Sequence, residues 1–166
     1  MTPPQFRRVT TPREIETVVN IAGPIWMEHY ASIIGADQVN YMLRTLHSKA
    51  AIADEIAHKN ARLYLIELEG QNVGYLSVHP REESLFLSKV YIQSSTRGNG
   101  LGKAALQFVK DMAERDGHSA ITLTVNKMNL NTIAIYEKIG FEKTQEVTFD
   151  IGEGYVMDDY VMTWQL

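Results

Sequence analysis

The sequence predicts an α/β domain of the α+β kind: a mixed, mostly antiparallel twisted sheet with helices on both faces. Three observations predict it. Residues 62–79 hold two runs of β-type residues, RLYLIELE and VGYLSVH, separated by a turn over Gly70-Gln71-Asn72. Residues 85–115 read as a strand, a polar glycine-bearing loop and an amphipathic helix, which makes one crossover. The tail reads as a last hairpin, Lys143 to Ile151 and Tyr155 to Trp164, around Gly152-Glu153-Gly154.

Each element has a local reason. Phe6 to Val9 has strand character, and Thr11, Pro12 and Glu14 then supply a helix start: a cap, a preset dihedral, and a carboxylate three residues past the cap. That helix is expected to break near Gly23-Pro24 and resume from Ile25 to Tyr30, because proline cannot donate a backbone hydrogen bond and disfavours helical geometry in the residue before it. Val39, Met42, Leu43 and Leu46 recur at helical spacing, and Ile52 with Ile56 marks a further short helix before Lys59-Asn60. Pro80 ends the second strand of the hairpin, and Leu85 to Ile92 forms the third. Lys103 to Arg115 carries Leu106, Phe108, Val109 and Met112 on its inner side. After Asp116-Gly117 come a strand from Ala120 to Val125, an Asn-rich corner and a helix from Leu130 to Ile139 closed by Gly140.

Composition narrows the chemistry. The 166 residues are 45% hydrophobic and hold no linker, repeat or low-complexity tract, so residues 1–166 are read as a single domain. With no cysteine there is no disulfide, thiolate zinc site, iron–sulfur cluster or Cys nucleophile. The histidines at 29, 47, 58, 79 and 118 show no ligand spacing such as HExxH, so no metal is expected, and Ser94 and Ser95 lie in no nucleophile elbow. The first residues lack a signal-peptide pattern and no window approaches 18 apolar residues, so a cytoplasmic location without a membrane partner is the expectation. A formal net charge of -4 argues against nucleic acid as partner and suits a cationic small substrate.

The chemistry centres on Arg97-Gly98-Asn99-Gly100-Leu101-Gly102-Lys103. Alternate glycines let successive backbone N–H groups converge at a helix N-terminus, where the dipole and the charges of Arg97 and Lys103 favour an anion such as a pyrophosphate. A tight strand-to-helix turn would also need glycine. Neither known nucleotide motif fits. The spacing is Gly-x-Gly-x-Gly, position 97 is Arg where a P-loop begins with Gly, and Ala104 follows Lys103.

These residues resemble the GNAT superfamily of acyl-CoA-dependent N-acetyltransferases. Its signature of Gln or Arg, two residues, Gly, one residue, Gly or Ala is met by Arg97, Gly100 and Gly102 directly after LSKVYI. A second family segment, a strand and an Asn-bearing helix ending in Tyr-Glu-Lys-x-Gly-Phe, is matched by LTVNKMNLNTIAIYEKIGF. The resemblance covers residues 62–142 and implies a sheet splayed between the strands at 85–92 and 120–125, with acetyl-CoA as cosubstrate lying in the gap. By it, the backbone of Val90 and Ile92 meets the pantetheine, residues 97 to 103 hold the pyrophosphate, and Asn129 and Lys138 approach the pantetheine or adenosine. An exposed Lys near a helix end also serves simply to meet the dipole.

Acetyl transfer to an amine needs a neutral nucleophile, a donor for the carbonyl oxygen, and a proton for the departing thiolate. A backbone N–H near Val90 or Tyr91 can supply the donor, and Tyr136 matches the family tyrosine near the cofactor sulfur. Many relatives carry a Glu where this chain has Ser88, whose hydroxyl can anchor a water but is too weak to be the base. His79, Glu28, His29 and Tyr30 are the other ionisable candidates, and the base is left open among them. The tail places Asp150, Glu153, Asp158 and Asp159 around a hairpin that the family analogy sets beside the acceptor cleft. It is similar to bacterial spermidine and spermine acetyltransferases, which implies a small-molecule amine acceptor, polyamines among them, with Glu28, Tyr30, Asp158 and Asp159 as substrate candidates. Those carboxylates would equally keep an exposed strand soluble. Acetylation of a protein N-terminus and a non-catalytic acyl-CoA sensor are the competing readings, and the edge strands of the terminal hairpin would suit a homodimer.

Overall fold

A computed structural model of the chain describes residues 2–96 and 98–166. Its strands form one seven-stranded sheet flanked by helices, in the order β1-β2-β3-β4-β5-β7-β6. The elements run β1 (Gln5–Arg8), α1 (Pro12–Ile34), α2 (Ala36–Thr45), α3 (Lys49–His58), β2 (Arg62–Leu68), β3 (Gln71–Pro80), β4 (Ser84–Ile92), α4 (Leu101–Arg115), β5 (Ala120–Asn126), α5 (Leu130–Ile139), β6 (Glu142–Gly152) and β7 (Tyr155–Gln165).

The N-terminus of α1 follows from the residues that open it. Thr11 accepts from the Glu14 amide while the Glu14 carboxylate accepts from the Thr11 amide, a reciprocal capping box, and Pro12 begins the first turn. The expected break at Gly23-Pro24 does not occur, and α1 runs through it for 23 residues. Gly23 carries no Cβ to clash with the proline ring, and Ala22, Ile25 and Trp26 are buried on either side. Burial of such side chains is worth about 1.5–3 kcal/mol each, enough to offset the ~3 kcal/mol that an interior proline costs. Gly35, with φ of 86°, then turns the chain into α2.

The first hairpin forms, with its turn starting one residue and ending two residues earlier than expected. Leu68 pairs with Gln71, so the loop is Glu69-Gly70, both at positive φ (51° and 80°). Two residues with positive φ match the right-handed twist of the flanking strands. The terminal hairpin pairs β6 with β7 from Glu142↔Thr163 to Gly152↔Tyr155.

Two features of β4 decide the rest of the molecule. All neighbouring strands pair antiparallel except β4 and β5, which are parallel and pair only over Ser84–Phe86 and Ala120–Thr122. Beyond that short contact the two strands separate, which is the expected splay. The second feature is a bulge: Val78 faces Leu87 and Ser77 faces Lys89, so Ser88 is the extra residue. One extra residue moves everything after it to the opposite face. Leu85 and Leu87 pack with Val90 and Ile92 under α4 and α5, whereas Tyr91 packs with α1, and Lys89 reaches Glu55 of α3.

The sheet separates two apolar cores. Leu76, Leu85, Val109, Met112, Ile121 and Met162 build one with α4 and α5; Val18, Ile25, Val39, Ile52, Leu65 and Tyr75 build the other with α1, α2 and α3. At Gly74 the strands approach so closely that a Cβ would collide with the Tyr91 carbonyl oxygen and sit 3.1 Å from the Ile92 Cα. Glycine there lets β3 press against the free-edged half of β4.

Candidate active site

Where β4 and β5 part, a cavity of about 120 Å³ opens between them. Asn129, Thr132 and Tyr136 line it from the α5 side, and Tyr30, Gln38 and Asp159 from the α1–α2 side, so the opening reaches both faces of the sheet. The direction of the β4 amides follows from the ladder. The Gln93 N–H donates to the Val73 carbonyl at 2.8 Å, and Tyr91↔Tyr75 and Lys89↔Ser77 continue that register. In an antiparallel pair the amides alternate, so Tyr91 and Lys89 donate toward β3, while Val90 and Ile92 point away from it into the slot. Of the two candidates for the carbonyl donor, Val90 is the one so placed.

The glycine loop ends where α4 begins. Gly98 (φ 86°) and the N-cap Gly100 (φ 72°, ψ 15°) are left-handed, no side chain among the described residues caps α4, and a Cβ at Gly98, Gly100 or Gly102 would meet nothing within 4 Å. First-turn amides of a helix have no intrahelical acceptor, so this open, glycine-lined end fits a diphosphate. Lys103 is exposed beside it, and Asn99 ties the loop by donating from Nδ2 to the Thr96 carbonyl at 3.0 Å. Leu101, 3% exposed, anchors the helix in the core instead of facing a ligand. Arg97 lies outside the described residues. Asn129 is the N-cap of α5 and lines the cavity, while Lys138 is exposed in the last turn of that helix and is not brought to it.

The ionisable candidates separate clearly. Tyr136 lines the cavity half-buried, its ring tilted against Phe141, and burial holds its phenol well above the usual value and therefore protonated. Ser88, the bulged residue, lines the cavity and donates its hydroxyl to the Ser77 carbonyl at 3.2 Å. Tyr30 and Tyr91 share a hydrogen bond of 2.9 Å between their hydroxyls. Glu28 is drawn elsewhere, accepting from the Ser94 hydroxyl at 3.0 Å on the surface. His79 caps the surface, with Nδ1 3.3 Å from the Lys59 carbonyl, whereas His29 lines the cavity.

Alternation along β7 divides the two neighbouring aspartates. Asp158 faces solvent, bonded to Lys127 at 2.9 Å, and this pair holds its carboxyl below the ordinary range. Asp159 is 2% exposed in the cavity, and burial, reinforced by the Asp158 charge, pushes its carboxyl up to about 6. Asp150 instead caps the Gly152 amide at 2.9 Å and Glu153 pairs with Arg44 at 3.9 Å. Of the four tail carboxylates, Asp159 alone lines the cavity.

Sequence reasoning missed two groups. Lys89 lines the same cavity, 3.7 Å from Glu55. A cation inside the apolar run LFLSKVYI, with the alternation slipping at Ser88, was the signal. The second group is buried: Trp26 donates to the Tyr75 hydroxyl at 2.8 Å, His47 Nε2 lies 3.0 Å from that hydroxyl, and the His47 ring stacks on Trp26. Burial, with the Lys89 charge nearby, lowers His47 to about 3. The cavity also opens onto a groove on the α1–α3 face, with Met42, Ser88, Lys89, Tyr91, Thr124 and Met157 common to both. Among the described residues no cluster of three His, Asp or Glu could hold a metal, and no helix is long and apolar enough to cross a membrane.

Residues 31–157 match the family model described as an acetyltransferase (GNAT) domain. N-acetyltransferase family 8 member 2 of Rattus norvegicus is 28% identical over 112 residues, covering 63% of this chain and 50% of its own length. N-acetyltransferase 8 of Mus musculus is 27% identical over 120 residues, covering 68% and 53%. The chain thus spans about half the length of the curated relatives it matches. The crystal structure of PaiA N-acetyltransferase from Thermoplasma acidophilum in complex with coenzyme A superposes with a TM-score of 0.82 over 99% of this chain and 100% of that one, at 18% identity. Ribosomal-protein-alanine N-acetyltransferase from Brucella melitensis superposes with a TM-score of 0.71 over 98% and 99%, at 22% identity. At such identities the superpositions establish the fold.

Proposed function

The chain belongs to the acetyltransferase (GNAT) domain family, and on that premise we propose that it moves an acetyl group from acetyl-CoA to the amine of a small molecule, by direct transfer without a covalent enzyme intermediate. The observation that carries this reading is the slot through the sheet, with outward-facing amides on β4 and a buried carboxylate and a half-buried phenol lining the same cavity.

In this reading the α4 N-terminus holds the diphosphate, and the Ile92 N–H with the slot-facing carbonyls of Val90 and Ile92 holds the pantetheine arm. The Val90 N–H stabilises the carbonyl oxygen as it gains charge. Asp159 receives the ammonium and takes one proton from it; the freed lone pair forms the C–N bond as the C–S bond breaks. Tyr136 gives its proton to the departing sulfur, the nitrogen sheds its second proton to solvent as the amide forms, and afterwards Asp159 releases its proton to solvent and Tyr136 regains one from it. Moving a proton from an amine of pKa about 10.4 to a carboxylate near 6 costs about 6 kcal/mol, well inside the ~16 kcal/mol barrier of an enzyme turning over about ten times per second. A polyamine would need several carboxylates at the slot itself, and among the described residues Asp159 is the one lining it, so the acceptor of this proposal is a small monoamine.

The test is release of free thiol from acetyl-CoA in the presence of amines, for wild type and Tyr136→Phe. Amine-dependent release that falls roughly 10- to 100-fold in kcat with the phenylalanine variant, while coenzyme A binds with its affinity little changed, is expected. Coenzyme A binding with no amine-dependent thiol would leave a cofactor sensor instead.

A further inference from the structure

Resting on the transferase reading above, we infer that the acceptor is an amino carboxylate: its ammonium sits against Asp159 and its carboxylate against Lys89. Among the described residues lining the slot, these two are the ones with a formal side-chain charge at neutral pH apart from any protonation of His29. They have opposite signs and stand on different strands, β7 and β4. Both reach the α1–α3 side, Asp159 sharing the Tyr30 corner and Lys89 pointing to α3.

The bulge at Ser88 is what puts Lys89 there. Without it, Lys89 would share the face of Leu85 and Leu87 and its ammonium would lie in the core under α4. An ammonium brings three donors, and at 3.7 Å the Glu55 contact is longer than the about 2.7–2.9 Å of a tight charge-assisted hydrogen bond. The Glu55 Oε2 atom has no hydrogen-bond partner. Glu55 therefore balances the Lys89 charge without saturating it, which leaves donors for an anionic group from the slot. An acceptor with a second ammonium would instead set like charges together in a poorly hydrated space. The groove that continues from the slot is lined by Asp54, Glu55, Lys59 and Arg81 and also by Met42, Val147, Phe149 and Met157, which offer apolar surface for a side chain.

The experiment compares leucine, leucinamide and isoamylamine, and phenylalanine, phenylalaninamide and phenethylamine, by acceptor-dependent thiol release. Each series shares one side chain and differs in the carboxylate. The free acids should exceed their amides and decarboxylated amines by roughly tenfold or more in kcat/KM, chiefly through KM, because an acceptor lacking the carboxylate leaves Lys89 unmatched. Lys89→Met alone would strand the Glu55 carboxylate, so the variant to use is Lys89→Met with Glu55→Gln, with coenzyme A binding as the check that it folds. There the acid-over-amide preference should fall by about tenfold. Amines accepted equally with and without a carboxylate, or a variant that lowers acid and amide alike, would overturn this inference alone. Thiol release with none of the six compounds, despite bound coenzyme A, would overturn the transferase reading beneath it.

Discussion

At pH 7 an Asp159→Asn variant should resist urea better than the wild type while acetylating its acceptor far more slowly. The carboxyl is 2% exposed and its pKa rises from 3.8 to about 6 on folding. Between those values the folded state binds more protons than the unfolded chain, so stability declines as pH rises through that window and levels off above about 6. At about 1.36 kcal/mol per pH unit the decline amounts to about 3 kcal/mol, fully incurred at pH 7. Asparagine removes the charge but leaves an amide to satisfy, which returns about 1–2 kcal/mol of the gain. The net should be about 1–2 kcal/mol at pH 7, or a urea midpoint raised by roughly 0.5–1 M. Other groups titrate in the same range, and subtracting the variant's stability-versus-pH curve from the wild type's removes them. The difference should fall from pH 4 to pH 6.5 and then stay flat. A difference curve with no slope there would refute the claim that this carboxylate is buried at a cost. The same variant should lose roughly 100-fold in kcat, and wild-type activity should rise with pH through about 6 as the carboxylate ionises.

His47 predicts the opposite arm. Its folded pKa of about 3 lies below the ordinary 6.5, so the stability it contributes is present above 6.5 and is lost as pH falls toward 3, up to about 5 kcal/mol. His47→Phe should flatten the acid limb of a urea or thermal unfolding series, and parallel limbs for the two proteins would remove His47 as the cause. Gly100→Leu should weaken coenzyme A binding, measured by calorimetry, by roughly tenfold or more, because φ of 72° costs a side-chain-bearing residue about 1–2 kcal/mol and the leucine would fill the open cradle. Unchanged affinity would show that the diphosphate binds elsewhere.

Much of the fold was legible because its cues are local. The capping box at Thr11 and Glu14, the apolar spacing of α4 and the glycine closing α5 each act within a few residues, and each element forms where those cues stand. Two local readings went astray for physical reasons. Pro24 does not break α1, because tertiary burial around it outweighs the proline penalty. The hairpin turn lies at Glu69-Gly70 because pairing of Leu68 with Gln71 sets the loop length.

The site divides in the same way. By itself the sequence determined the open glycine end of α4, the tyrosine of α5 and the strand that carries Val90 and Ile92, since those depend on spacing along one stretch of chain. It could not choose between Asp158 and Asp159, or separate Glu28 and His79 from the cleft. Tertiary structure decided these points. Which face of a strand a residue takes depends on pairing register, one bulge inverts it, and the burial that lifts Asp159 and leaves Asp158 in water comes from α1, α2 and β5, distant in sequence.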